Sequence, residues 1–196
     1  MENEYLKDNS KKISIQGTNN RYQVKKLINR HKEIKKRVES EKWTFSPDYF
    51  AYDKQLTILR VIYKNDTNNT NHNITENEQN IVKIMTQQIQ KKIASYKQQD
   101  LLKKHFSESE FLTFENVVEK LVECDLQCYY CKKEMAILYD ISREMLQWSV
   151  DRIDNDKGHN IDNYHVSCLE CNLKRRRRTD EKFRFTKQLQ LVKQEN

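Results

Sequence analysis

Cys128-Tyr-Tyr-Cys131 and Cys168-Leu-Glu-Cys171 are two Cys-x-x-Cys units with 36 residues between them. Four thiolates suit a tetrahedral Zn²⁺ ion, and a two-residue spacer lets both sulfurs of a knuckle turn onto one metal. Two such knuckles close the coordination sphere, so the expected zinc is structural and leaves no position for water. A redox Cys-x-x-Cys does not need a second copy, and disulfides do not suit a reducing compartment. The fifth cysteine, Cys124, ends an apolar helix face and reads as a buried free thiol. The tetrad would clamp the base of the loop between the two pairs. In a segment this polar, metal binding would also supply much of the folding free energy.

The clamped segment carries polar chemistry. Leu146, Trp148 and Val150 alternate and predict a strand. Asn155 to Gly158 is turn chemistry, with one of only two glycines in the chain. Tyr164 to Ser167 predicts a second strand, and Cys171 to Arg178 a helix. The pattern Asp151-Arg152-Ile153-Asp154-Asn155, then Gly158-His159, Asn163 and Cys168-Leu-Glu-Cys171-Asn172, resembles the HNH endonucleases, whose site is a ββα-metal finger. The resemblance covers roughly residues 124–178 and extends more weakly to the helices from about 81; residues 1–75 are not covered.

This resemblance implies a metal-dependent endonuclease that hydrolyses phosphodiester bonds in DNA, with RNA not excluded. It makes Asp151 and Asn172 the ligands of a catalytic divalent ion, Mg²⁺ or Mn²⁺, and Asn163 a brace for the loop. Arg152 stands where the family's general-base histidine stands, which matches the family's Asp-Arg-Ile-Asp variant but leaves the base unassigned. With a pKa above ~12, an arginine is unsuited to the role; it suits phosphate binding and charge stabilisation. His159 ranks first as the base, then His165, then Tyr164, with no protein base as the remaining option. Asp154 reads as a turn cap or as a carboxylate orienting Arg152. Lys174, Arg175, Arg176, Arg177 and Arg178 are expected to reach phosphates flanking the cut; a nuclear localisation signal and a solvated tail are the competing readings. Trp148, Tyr129 and Tyr130 are expected to pack around the zinc. The alternative function is a catalytically inactive, zinc-dependent nucleic-acid-binding or packaging protein.

Around this finger the expected fold is α+β and mainly helical. Val24, Leu27, Ile28, His31, Ile34 and Val38 give a helical period from about Tyr22 to Trp43, with a basic opposite face. Ser46-Pro47 breaks it, and Tyr49 to Tyr63 is ambiguous between strand and helix. Seven of the sixteen residues from Asn65 to Asn80 are Asn, a stretch read as a linker. Ile81, Met85, Ile89, Ile93 and Tyr96 mark a long amphipathic helix running to about His105. A second helix begins after Thr113, its N-cap, with Phe114, Val117, Val118, Leu121 and Val122 on its apolar face. The expected organisation is a basic, mostly helical region over 1–64, the linker over 65–80, and a helical lead-in with the nuclease finger over 81–196.

Composition bounds the alternatives. The chain has 196 residues, 36% hydrophobic and 33% charged, against about 25% charged in typical domains. Thirty-six Lys and Arg against 29 Asp and Glu leave a net charge of +7 and a pI of about 9.0, a balance that favours polyanion partners. Apolar runs are far shorter than the ~20 residues of a membrane span, so no membrane partner is expected. The first residues lack a basic start and an apolar stretch, so an intracellular location, cytoplasmic or nuclear, is expected.

Overall fold

The computed structural model describes Gly17, residues 34–68 and residues 76–189. Most of the helix expected over 22–43, with its basic face, lies outside the described residues. Where that stretch enters them it is not α-helical: Lys36 bridges Ile141, Arg37 N donates to Asp140 O at 2.7 Å, and a short 3₁₀ turn covers Ser40–Lys42. Tertiary contacts override the local period here. The Arg37 guanidinium donates to Tyr139 O and stacks 4.2 Å over the Tyr139 ring, which leaves Val38 at 74% exposure.

From Lys36 onward the chain forms one compact unit. A second 3₁₀ turn over Pro47–Phe50 leads into helix α1 (Tyr52–Asn68), then α2 (Glu76–Lys103) and α3 (Phe114–Glu123). The ambiguous stretch is therefore helix. Leu56, Leu59 and Ile62 recur every third residue, are buried, and pack α1 on α2 and α3. The Asn-rich stretch joins two helices of one unit. The α2 stripe of Ile81, Met85 and Ile89 is fully buried, as are Val117, Val118 and Leu121 of α3. Thr113 caps α3 through a reciprocal box with Asn116 in place of the usual Glu or Gln. Among the described residues, no helix is long and apolar enough to cross a membrane.

The first cysteine pair lies in a tight turn after α3. Two successive non-glycine residues, Asp125 and Leu126, take left-handed backbone to end the helix, and Lys132 does so directly after the second cysteine of the pair. Strands β1 (Trp148–Arg152) and β2 (Tyr164–Cys168) form an antiparallel hairpin with Asp151 opposite His165. Two strands alone are marginal in water, and here both outer edges are closed by side chains or loops. Lys92 Nζ bonds Trp148 O, and Tyr96 Oη accepts from Val150 N at 3.0 Å, one turn apart on α2. Tyr129 N and Lys120 Nζ cover Val166 O and Tyr164 O on the other edge. Helix α4 (Leu169–Arg175) follows β2 directly. A further helix, α5 (Asp180–Gln188), was not foreseen in the sequence; it seats Phe183 against Tyr130 at 5.0 Å.

The hairpin loop closes against the C-terminal end of α2. A β-carbon on Gly158 would lie 2.5 Å from His105 O and 3.0 Å from both Asp100 Oδ2 and Asn160 Oδ1. The nearest of these is backbone and cannot swing aside. Gly158→Ala should therefore destabilise the protein by about 1–3 kcal/mol, the usual cost of overpacking, read as a lowered urea midpoint. An unchanged midpoint would show that the loop does not depend on this approach.

Candidate metal centre and polar hairpin site

Cys128, Cys131, Cys168 and Cys171 place their sulfurs within 4.8 Å of one another, and Cys131 Sγ lies 3.9 Å from Cys168 Sγ. Zinc–sulfur bonds of about 2.3 Å in a tetrahedron put sulfurs about 3.8 Å apart, so the tetrad is compatible with a structural metal ion. Cys168 Sγ also accepts from Cys171 N at 3.4 Å, which favours a thiolate there. Without a cation the thiols oppose one another. Hydrogen bonds among the crowded sulfurs push Cys128 down and Cys168 up, so that one thiolate is favoured at the expense of its neighbours. A bound cation removes that opposition by neutralising the shared charge. Cys124 lies outside the tetrad, with its thiol on Leu121 O and its pKa raised by burial.

The face of the hairpin beneath α4 is polar where an ordinary sheet would bury apolar residues. Successive side chains of a strand alternate between faces, and residues directly paired share one. Ser149 and Ser167 therefore lie with Asp151 and His165 on this face. Ser149, Asp151 and Ser167 are all buried. Asn172 of α4 reaches down to Ser149 Oγ at 3.2 Å and Val150 O at 3.0 Å. The Ser167 hydroxyl is buried without a hydrogen-bond partner.

Asp151 is the centre of this layer. Arg175 grips it with two bonds, Nε to Oδ2 at 2.6 Å and Nη2 to Oδ1 at 3.0 Å, and Tyr130 Oη donates to Oδ2 at 2.6 Å. Burial pushes the Asp151 carboxyl up, against the pull of Arg175 and Tyr130. Both Asp151 oxygens are engaged by Arg175, so a divalent ion could be held there only by displacing the guanidinium. The donor types, one carboxylate and one amide oxygen, suit a hard ion once Arg175 yields.

The basic run expected to face phosphates is divided. Arg175 is turned inward and buried, whereas Lys174, Arg176, Arg177 and Arg178 are exposed. Lys174 pairs with Glu170, and Arg178 lies over Phe183. Arg152 donates to Lys157 O at 2.7 Å, and Asp154 accepts from Asp156 N at 2.9 Å, so Asp154 caps a turn and does not hold Arg152. Asn163 is the loop brace the motif implied: it accepts from Asp154 N and donates to Asp154 O and Gly158 O.

The two candidate histidines have different surroundings. His159 Nδ1 lies 2.7 Å from Asp100 Oδ1, and its backbone N donates to Asp100 Oδ2 at 2.6 Å. Its ring stacks on Tyr96 at 4.6 Å and is only 5% exposed. His165 stands opposite Asp151, stacks on Tyr129 at 3.6 Å, and pairs through Nε2 with Asp180 of α5 at 3.1 Å; its side chain is 21% exposed. Burial lowers the pKa of both, against an upward pull from Asp100 and Asp180 respectively. Tyr164 points away, donating to Asn116 O. Tyr129 and Tyr130 thus do more than pack: one stacks on His165, the other bonds Asp151. Sequence reasoning missed Asp100, Asp180 and the inward turn of Arg175. Only Asp180 had a local signal, the Thr-Asp-Glu start of a helix.

Compared with known proteins, the chain matches no family model, no curated sequence and no solved structure. The likeness to HNH endonucleases rests on the motif residues alone.

Two outcomes test this site. Cys168→Ser should lose bound metal by elemental analysis and melt far below the wild type, because metal binding and folding are coupled, while Cys124→Ser keeps the metal; metal lost from the Cys124 variant would overturn the tetrad. Arg175→Met should cost about 3–5 kcal/mol by leaving Asp151 buried and unpaired, and adding Asp151→Leu should recover most of it. Additive losses in the double variant would show the pair to be uncoupled.

Proposed function

We propose that the chain is a nucleic-acid phosphodiesterase of the HNH type, with a structural zinc in the cysteine tetrad. The observation that supports this reading most strongly is the buried polar layer between hairpin and α4. It gathers Asp151, Asn172 and His165, residue types that phosphodiester hydrolysis uses, where packing alone would favour apolar side chains. Asp151 and the Asn172 amide oxygen would hold Mg²⁺ or Mn²⁺, which when bound supplies Lewis-acid polarisation of the scissile phosphate.

The chain's own residues supply the rest. In the neutral tautomer that donates from Nε2 to Asp180, His165 carries its lone pair on Nδ1 and can accept a proton from water. As that oxygen bonds phosphorus, the bond to the 3′-oxygen breaks and solvent protonates the leaving group. His165 replaces His159 as first choice for the base, because it shares the Asp151 face and is the more exposed of the two. Arg152 and the exposed cations at 174 and 176–178 would bind flanking phosphates, DNA being the expected substrate.

A second reading, a nucleic-acid-binding module without catalysis, is favoured by one observation: Arg175 already satisfies Asp151 with two hydrogen bonds. Plasmid nicking in Mg²⁺ or Mn²⁺ separates the two. Wild type should nick, and His165→Ala should be slower by roughly 10²–10⁴-fold with DNA affinity unchanged. DNA binding whose affinity falls steeply with salt, beside wild type that never cuts with either ion, would overturn the enzyme reading and leave the binding module.

A further inference from the structure

Lys92 of α2 is half-buried and has no acidic partner, although a lysine withdrawn from water ordinarily has one. Among the described residues no carboxylate lies within ion-pair distance of it; its ammonium bonds only the Trp148 carbonyl and lies over the Tyr139 and Trp148 rings at 5.7 and 4.8 Å. It borders a cavity of about 200 Å³ that Arg37, Lys91, Gln88 and Ser95 also line. One carboxylate, Glu39, engages the other two cations: it accepts from Arg37 at 3.1 Å and Lys91 at 2.8 Å, and also from Gln88 at 3.0 Å. Trp148, which also lines the cavity, has a buried indole N–H with no acceptor. The cavity thus has an excess of positive charge and of hydrogen-bond donors. An anion with several acceptor oxygens complements that lining.

We propose that this cavity is a binding site for a phosphate group, held by Lys92 and Arg37. Its volume lies below the ~300–1,000 Å³ usual for organic ligands, which suits the phosphate itself and not an enclosed nucleoside. The source is either free phosphate or a nucleic-acid backbone that presents one phosphate to the cleft. The site does not depend on the nuclease reading and would stand if the chain cut nothing.

The electrostatics support it. Burial, with Arg37 beside it, lowers the Lys92 pKa to about 7. The charged and titratable groups lining the cavity beside it are Arg37, Lys91 and Tyr139, with Glu39 bound to Arg37 and Lys91, so an arriving anion would favour the charged ammonium and draw a proton from solvent. In the empty cavity the charged form is disfavoured relative to the unfolded chain. Stability contributed by this group is therefore greatest above the ordinary lysine pKa and declines as pH falls towards 7.

Calorimetric titration with sulfate, whose charge is fixed over the range, tests the site without phosphate's own titration. Wild type should bind sulfate at pH 6.5 at least tenfold more tightly than at pH 8.5, and inorganic phosphate should compete with it. Lys92→Met should bind neither while still melting cooperatively, because the loss of its bond to Trp148 O is offset by removing a half-buried cation that has no acidic partner. No sulfate binding by wild type, equal affinity at the two pH values, or unchanged affinity in Lys92→Met would each overturn the proposal. A short DNA duplex distinguishes the sources: sulfate competition with the duplex and weaker duplex binding by Lys92→Met assign a backbone phosphate, and an unaltered duplex affinity beside lost sulfate binding assigns free phosphate.

Discussion

A carboxylate taken out of water needs a counter-charge, and the C-terminal half of this protein is arranged around one that has it. Asp151 sits near the end of β1, and three elements meet there: the strand itself, Arg175 from the end of α4, and Tyr130 from inside the first cysteine knuckle. The same guanidinium donates to Arg152 O and, at 2.8 Å, to Arg178 O, so it also ties down the backbone that leaves the helix. Two charges buried together cost desolvation that their attraction does not always recover, so a pair like this fixes geometry more than it adds stability. That bidentate grip holds the end of α4 over the hairpin, while Asn172 is placed by its own bonds to Ser149 Oγ and Val150 O.

The hairpin needs help that its own ladder cannot supply. With only two strands, each has one unpaired edge, and an open edge is both unstable and prone to pair with other chains. Lys92 and Tyr96 are four residues apart on α2, the spacing that puts two side chains on one helix face, and both meet β1. The next turn of the same face delivers Asp100 to the hairpin loop, where its carboxylate receives both the backbone and the ring of His159. One stripe of α2 thus serves strand, loop and histidine in succession, while the stripe of Ile81, Met85 and Ile89 holds the helix to the rest of the core.

What could be read from the sequence was what repeats locally. The apolar periods of α2 and α3, the Thr113 cap, the two short strands and the paired cysteine spacings are each encoded within a few residues, and each has its counterpart in the structure. Asn163 was readable as a brace because the motif places it. What escaped was set by partners far along the chain. The run at 174–178 looks uniformly basic, and nothing local tells Arg175 from its neighbours; the distinction is a carboxylate twenty-four positions upstream. Asp100 carries no sign that it faces a histidine fifty-nine residues later. The segment around Arg37 shows a helical period, yet its partners are Tyr139 and Asp140, and those contacts decide its conformation.

The polar layer and the cysteine tetrad are best understood together. Ser149, Ser167, Asp151 and Asn172 occupy ground that apolar residues would fill with more favourable burial, and the unpartnered Ser167 hydroxyl adds a desolvation cost of its own. A hairpin with such an interior cannot rely on a hydrophobic core to hold its helix. Cys168 and Cys171 lie where β2 passes into α4, and Cys128 and Cys131 lie in the turn that carries Tyr130. A metal across these four sulfurs would fasten both sides of the polar layer from outside it. That leaves the interior free of any packing duty and able to keep a carboxylate, an amide and an imidazole close to one another.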